Sequence, residues 1–132
     1  MKLGNMSVPG DCAEISPILS MVGNKWTVLV ILVLSAGPKR YNSLRRDIES
    51  ISQRMLTVTL RGLERDGLIW RRVSGERNLP QVEYGLTALG ESVIPTLFAL
   101  CDWAARHVDD IRENQSRFDI DEAGQGFVRL PA

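Results

Sequence analysis

Five side chains between Ser52 and Asp66 have the types and spacing to address a nucleic acid. In the stretch SQRMLTVTLRGLERD, Gln53, Arg54, Thr57, Val58 and Arg61 recur at helical intervals, and Arg65 extends the same face. In the DNA major groove an arginine reads guanine through two hydrogen bonds, and a threonine offers both a hydroxyl and a methyl. A solvated helix face has the same composition, so the stretch alone leaves both readings open. The remaining reactive groups are Cys12, Cys101 and His107, the only histidine. The two cysteines lie too far apart in sequence for a zinc-type pair, and no nucleophile motif or phosphate loop accompanies them. No catalytic centre, metal site or cofactor is expected, and a thiol enzyme is set aside for want of an activating arrangement.

The element that must carry the five side chains is a helix over Ser52 to Asp66. Leu56, Leu60 and Leu63 stand at i, i+4 and i+7, which makes one buried stripe. Ser52 can cap the first turn, Ile51 can close against Leu56, and Gly67 is a suitable stop. Before it, Tyr41 to Ile48 (YNSLRRDI) is a short amphipathic helix with Leu44 and Ile48 inward, joined through Glu49, Ser50 and Ile51. Two short helices joined by about three residues fit a helix-turn-helix.

Upstream, residues 1–11 read as a flexible arm, and Cys12 to Val22 as a short helix with Ile15, Ile18, Leu19 and Val22 on one side. Pro17 is tolerable in its first turn. Trp26 to Leu34 (WTVLVILVL) is apolar nearly all round and is expected to be the core helix, capped by Asn24 and ended by Gly37-Pro38. Downstream, Leu68 to Ser74 and Gln81 to Leu86 are strand-like and flank a turn-prone GERNLP loop, which makes a hairpin with Arg77 at its tip. Symmetric pairing about that loop sets Arg72 opposite Glu83, as a structural pair.

Thr87 can cap a long last helix to about Arg112, with Pro95 kinking or restarting it. Its apolar stripe of Leu97, Leu100, Cys101, Ala104, Val108 and Ile111, with Trp103 beside it, is longer than a small domain covers alone. The expected use is a dimer interface formed with Ile15 and Ile18 of the first helix, with packing on the chain's own core as the competing reading. Residues 113–132 are expected to be a polar tail, leaving residues 12–112 as the domain.

At 132 residues, 44% apolar and 24% charged, the composition suits one globular domain. The formal net charge is zero, but ten basic residues face five acidic ones from Lys39 to Arg77, while six face eleven elsewhere. This basic middle matters more for an anionic partner than the sum does. No segment reaches the length of a membrane span, so no membrane partner and a reducing, cytoplasmic setting are expected.

The blocks GNKWTVLVILVLSAGPKRYNSLRRDI, ISQRMLTVTLRGLERDGLIWR and PQVEYGLTALG, in that order, resemble the HxlR family of bacterial transcriptional regulators, relatives of the MarR group. The likeness covers about Cys12 to His107. It implies a mainly α winged helix-turn-helix with a β-hairpin wing, helices from both chain ends forming a homodimer, and operators of imperfect dyad symmetry in double-stranded DNA. On that reading Gln53, Arg54, Thr57, Val58 and Arg61 are candidates for base edges. Lys39, Arg45, Arg46 and Arg65 are candidates for phosphates, and Arg77 for the backbone or minor groove. Cys12 matches a cysteine near the start of many members that in some responds to electrophiles or oxidants, although Ala13-Glu14 follows it where Pro is more usual.

From the residues themselves, Cys12 at a helix start gains thiolate character from the macrodipole and loses it to Asp11 and Glu14. Packing as a small apolar residue outweighs redox sensing there, and Cys101 in the stripe reads as core. An effector pocket lined by Trp26 and Trp103 is conceivable, but core packing is the stronger explanation of both, and no effector is identified. The competing function is a winged-helix module that binds an acidic protein and would not shift duplex DNA.

Overall fold

A computed structural model describes residues 1–75 and 78–125. It follows the capping signals closely. Strands β1 (Lys2–Leu3) and β2 (Met6–Ser7) make a small hairpin within the expected arm, turning at Gly4. Helix α1 spans Cys12–Val22, with the Asp11 side chain accepting from Ala13 N–H at 2.8 Å. Helix α2, Lys25–Leu34, starts where Asn24 Oδ1 accepts from Trp26 N–H and Thr27 N–H. Val28, Val30, Ile31 and Leu34 of α2 are buried, as its all-round apolar sequence requires.

Helix α3, Tyr41–Asp47, and helix α4, Gln53–Arg65, form the helix-turn-helix. The connection passes through Ser50 with φ of 69°, a left-handed conformation unusual for a residue with a Cβ. Ser52 caps α4 by accepting from Met55 N–H at 3.0 Å, and Ile51 before it is buried with Leu56. At the other end Leu68 N–H reaches the Leu63 carbonyl and Gly67 N–H reaches the Glu64 carbonyl, a Schellman ending. Gly67 at φ +79° supplies the left-handed residue that this ending needs.

The wing is a sheet of three antiparallel strands in the order β3-β5-β4. β4 (Ile69–Ser74) and β5 (Gln81–Leu86) are the expected hairpin, and Arg72 stands opposite Glu83 in register and in a side-chain ion pair. β3 (Lys39–Arg40) was not expected. It is two residues long, too short to show alternation, and it pairs Lys39 with Tyr84 and Arg40 with Glu83. Gly85 lies opposite Trp70 because the indole lies over it where a Cβ would stand.

Thr87 joins strand end to helix start, accepting from Gly90 N–H at 3.1 Å and donating to the Gly67 carbonyl at 2.6 Å. Of the two outcomes expected at Pro95 the helix restarts: α5 (Ala88–Ser92) stops at Val93, and α6 begins at Ile94 and runs to Gln125. Pro95 cannot donate the bond that would continue α5, but its fixed φ suits the first turn of a new helix. The extension beyond Arg112 differs from the expected unstructured tail. Residues 113–123 contain neither Pro nor Gly, and the Glu113–Arg117 pair at i, i+4 supports the helix there.

The chain divides into a unit Met1–Leu97 and a unit formed by the rest of α6. The first is built on Ile31, Leu44, Leu56, Leu60 and Leu63, with Leu97 also fully buried. In the second, Phe98, Leu100, Trp103, Val108, Ile111, Phe118 and Ile120 are all exposed. Among the described residues no single helix is long and apolar enough to cross a membrane, and α1 and α2, which together have the length, are bent by 67°.

Candidate nucleic-acid interface

Burial divides α4 as its periodicity requires. Leu56, Thr59, Leu60 and Leu63 are buried, whereas Gln53, Arg54, Thr57, Val58, Arg61 and Arg65 are exposed. Val58 is 57% exposed, an apolar side chain in the middle of a charged face. Arg45 and Arg46 lie in the last turn of α3, where their charge also suits the helix dipole. Arg46 Nη2 donates to Ser43 Oγ at 3.2 Å, which limits the directions its guanidinium can take. With Asn42 these two arginines line an open hollow of about 400 Å³.

A second, polar cleft of about 430 Å³ separates α4 from the wing and is lined by Thr57, Arg61, Glu64, Arg71 and Tyr84. Arg71 is a residue that the sequence reading did not single out. Its place became evident only from the register, which sets it opposite Tyr84 on the strand next to α4. Tyr41 was also missed: its phenol oxygen lies 3.1 Å from the Gln53 carbonyl and 3.1 Å from Thr57 Oγ1. No local pattern signals a contact across sixteen residues.

Ion pairing sorts the cations. Lys39 Nζ is 3.0 Å from Asp47 Oδ2, and Arg72 is paired with Glu83 while its guanidinium stands 5.0 Å from the Trp70 ring centroid. Among the described residues Arg45, Arg46, Arg54, Arg61, Arg65 and Arg71 form no ion pair. Their charge is free to meet an anion. Lys39 is correspondingly the weaker of the phosphate candidates. Arg77 lies outside the described residues.

The exposed reading helix, the basic residues of α3 and the adjoining wing together have the form of a DNA-reading module. The model of the HxlR-like helix-turn-helix family matches residues 21–112. The chain belongs to the HxlR-like family. It is therefore a helix-turn-helix transcriptional regulator and not an enzyme, and its family implies DNA binding. An HTH-type transcriptional regulator of Methanothermobacter thermautotrophicus is 52% identical over 82 residues, which span 62% of this chain and 62% of that protein. The match thus covers less than two thirds of that relative's length. Among solved structures, the transcriptional regulator YtfH of Salmonella typhimurium is 34% identical with a TM-score of 0.69, covering 76% of this chain and 89% of that one. The reduced form of the redox regulator HypR is 35% identical with a TM-score of 0.68, covering 76% and 98%.

The other candidate residues of this HxlR-like protein divide by exposure. Leu97, at 0% exposure, belongs to the protomer's own core, which corrects its assignment to a dimer surface. Ile18, Leu100, Trp103, Ala104 and Val108 are exposed, and Ile15 and Cys101 are half-buried. Trp103, at 55%, is not packed in a core as expected. It stacks on His107 with ring centroids 4.7 Å apart, and His107 Nδ1 is 2.7 Å from the Trp103 carbonyl oxygen. Trp26 is half-buried, with Lys25 Nζ 4.3 Å from its ring centroid. Cys12 is exposed at the start of α1, its Sγ 3.5 Å from Ser16 Oγ. Among the described residues no group of three His, Cys, Asp or Glu could hold a metal ion.

Proposed function

We propose that this regulator binds a pseudo-palindromic operator as a homodimer, each protomer placing α4 in one of two major grooves about 34 to 36 Å apart. The observation that carries the reading is the exposed face of α4, with four base-reading side chains around Val58 and every leucine turned inward. Gln53, Arg54, Thr57, Val58 and Arg61 meet base edges. Arg45, Arg46 and Arg65 meet phosphates, with Lys39 in a supporting position, and Arg77, outside the described residues, is kept as a candidate for the backbone or minor groove.

Dimerisation is supported by apolar surface that the protomer leaves uncovered. Helix α1 has no buried residue although it carries Ile15, Ile18, Leu19, Met21 and Val22. Ile18 and Leu19 are 55% and 60% exposed, and the α6 stripe from Leu100 to Ile111 is also open. Apolar surface on this scale marks an interaction site.

Cys12 is the candidate for control by oxidants or electrophiles. Its support is its exposure at the start of α1, together with the likeness to a redox regulator.

Selection from randomised duplexes, followed by band shifts with reduced and diamide-treated protein, tests all three parts. The expected result is enrichment of one dyad sequence, with binding altered by diamide in the wild type and not in Cys12→Ser. Enrichment that ignores oxidant would leave the regulator and remove the thiol switch. Absence of any enriched sequence would favour a protein-binding module instead.

A further inference from the structure

The contact between α3 and α4 constrains the protons at the reading face. Tyr41, the first residue of α3, brings its phenol oxygen to 3.1 Å from the Gln53 carbonyl oxygen and 3.1 Å from Thr57 Oγ1. A carbonyl can only accept, so for both contacts to be hydrogen bonds the single phenolic proton goes to Gln53. The phenol then offers Thr57 only lone pairs, and the Thr57 hydroxyl must be the donor. Its rotamer is held with Oγ1 toward Tyr41. What remains for a ligand is acceptor lone pairs and the methyl, with no free proton.

We infer that Tyr41 is a positioning residue for base specificity, which turns Thr57 into a reader that accepts and does not donate. The inference rests on the proposed docking of α4 in the major groove. There guanine presents only acceptors, N7 and O6, whereas adenine and cytosine present an amino group and thymine a methyl. Thr57 held in this way accepts from an amino group or packs on the thymine methyl. Against guanine it opposes lone pairs with lone pairs. A threonine free to rotate its hydroxyl would donate to guanine and discriminate little, so the selectivity belongs to the pair.

Tyr41→Phe removes the phenol oxygen and keeps the ring, which is only half-buried, and a melting curve verifies the fold. The probes are the duplex enriched from a random library and its single-base variants. At one base pair per half-site, marked by its response to Thr57→Val, the wild type should disfavour guanine by about tenfold, and Tyr41→Phe should reduce this to within about twofold. Other positions should keep their preferences, and Tyr41→Phe added to Thr57→Val should change no preference further. Thr57→Ser, which keeps the inward bond, should still disfavour guanine while losing any advantage for thymine.

Equal weakening on every duplex by Tyr41→Phe would make the phenol merely structural and overturn the inference. So would a guanine penalty that persists in Tyr41→Phe, or one that Thr57→Ser abolishes. If the wild type enriches a sequence but no base pair responds to Thr57→Val, the inference fails while sequence-specific binding stands. A wild type that enriches nothing overturns the docking itself and the inference with it.

Discussion

Replacing Arg46 by alanine should change how binding depends on salt, by an amount that follows from the ion pairing. Arg45, Arg46 and Arg65 are exposed and, among the described residues, make no ion pair. If each meets one phosphate, the proposed dimer displaces about six counterions, and log K falls against log salt with a slope of about −5.4. Between about 50 and about 200 mM salt the wild type should lose roughly 2,000-fold in affinity.

Arg46→Ala removes one contact from each protomer. The slope should then ease to about −3.6, and the loss over the same interval to roughly 150-fold. Specific and random duplexes should weaken alike at low salt, because a phosphate carries no sequence. Lys39→Ala is the control: its ammonium already faces Asp47 at 3.0 Å, so the slope should hardly move. Arg61→Ala should reduce discrimination at one base pair by roughly 1–3 kcal/mol, with most of the slope retained. Fluorescence anisotropy at four or five salt concentrations measures all of these. An unaltered slope in Arg46→Ala, or an equal change in Lys39→Ala, would refute the assignment of phosphates from unpaired charge. Equal losses on both DNAs for Arg61→Ala would remove it from the base readers.

Three further predictions concern stability and assembly. Gly90→Ala would drive a Cβ into the Leu68 backbone carbonyl at a buried position, and should destabilise the chain by about 1–3 kcal/mol in a denaturant titration. Ser52→Ala leaves the Met55 N–H without its side-chain partner and should cost about 1 kcal/mol, a few degrees in melting temperature. Ile18→Glu combined with Trp103→Glu should yield monomers in sedimentation while each protomer keeps its helical content. The wild-type assembly, if held by apolar contact, should persist at high salt where DNA binding is lost.

Most of the fold was legible because its signals are local. Ser52, Asn24 and Thr87 each accept from the backbone N–H groups that a capping residue should satisfy, and Gly67 ends α4 with the left-handed residue that a Schellman motif requires. The hairpin register followed from the loop, as Arg72 opposite Glu83 demonstrates. Strand β3 was not legible. Two residues have no period, and Lys39 and Arg40 are extended because β5 lies beside them. The end of α6 was misjudged for a related reason: a polar helix with i, i+4 pairs has no apolar stripe to announce it.

The candidate site divides along the same line. Periodicity identifies which residues of α4 turn outward, since a helix that buries Leu56, Leu60 and Leu63 must expose Arg54, Thr57 and Arg61. It cannot say what else those side chains already touch. Lys39 and Arg45 look alike in a sequence, yet one is neutralised by Asp47 and the other is not. Thr57 offers a donor and acceptors in the abstract, but a phenol from another helix already stands 3.1 Å from its hydroxyl oxygen. Leu97 looks like one more residue of an interfacial stripe until its complete burial assigns it to the protomer's core. Each is a contact between elements, fixed only once they pack. Such contacts select, from the groups that a sequence lists as available, the few still free to meet a ligand, and specificity is decided among those few.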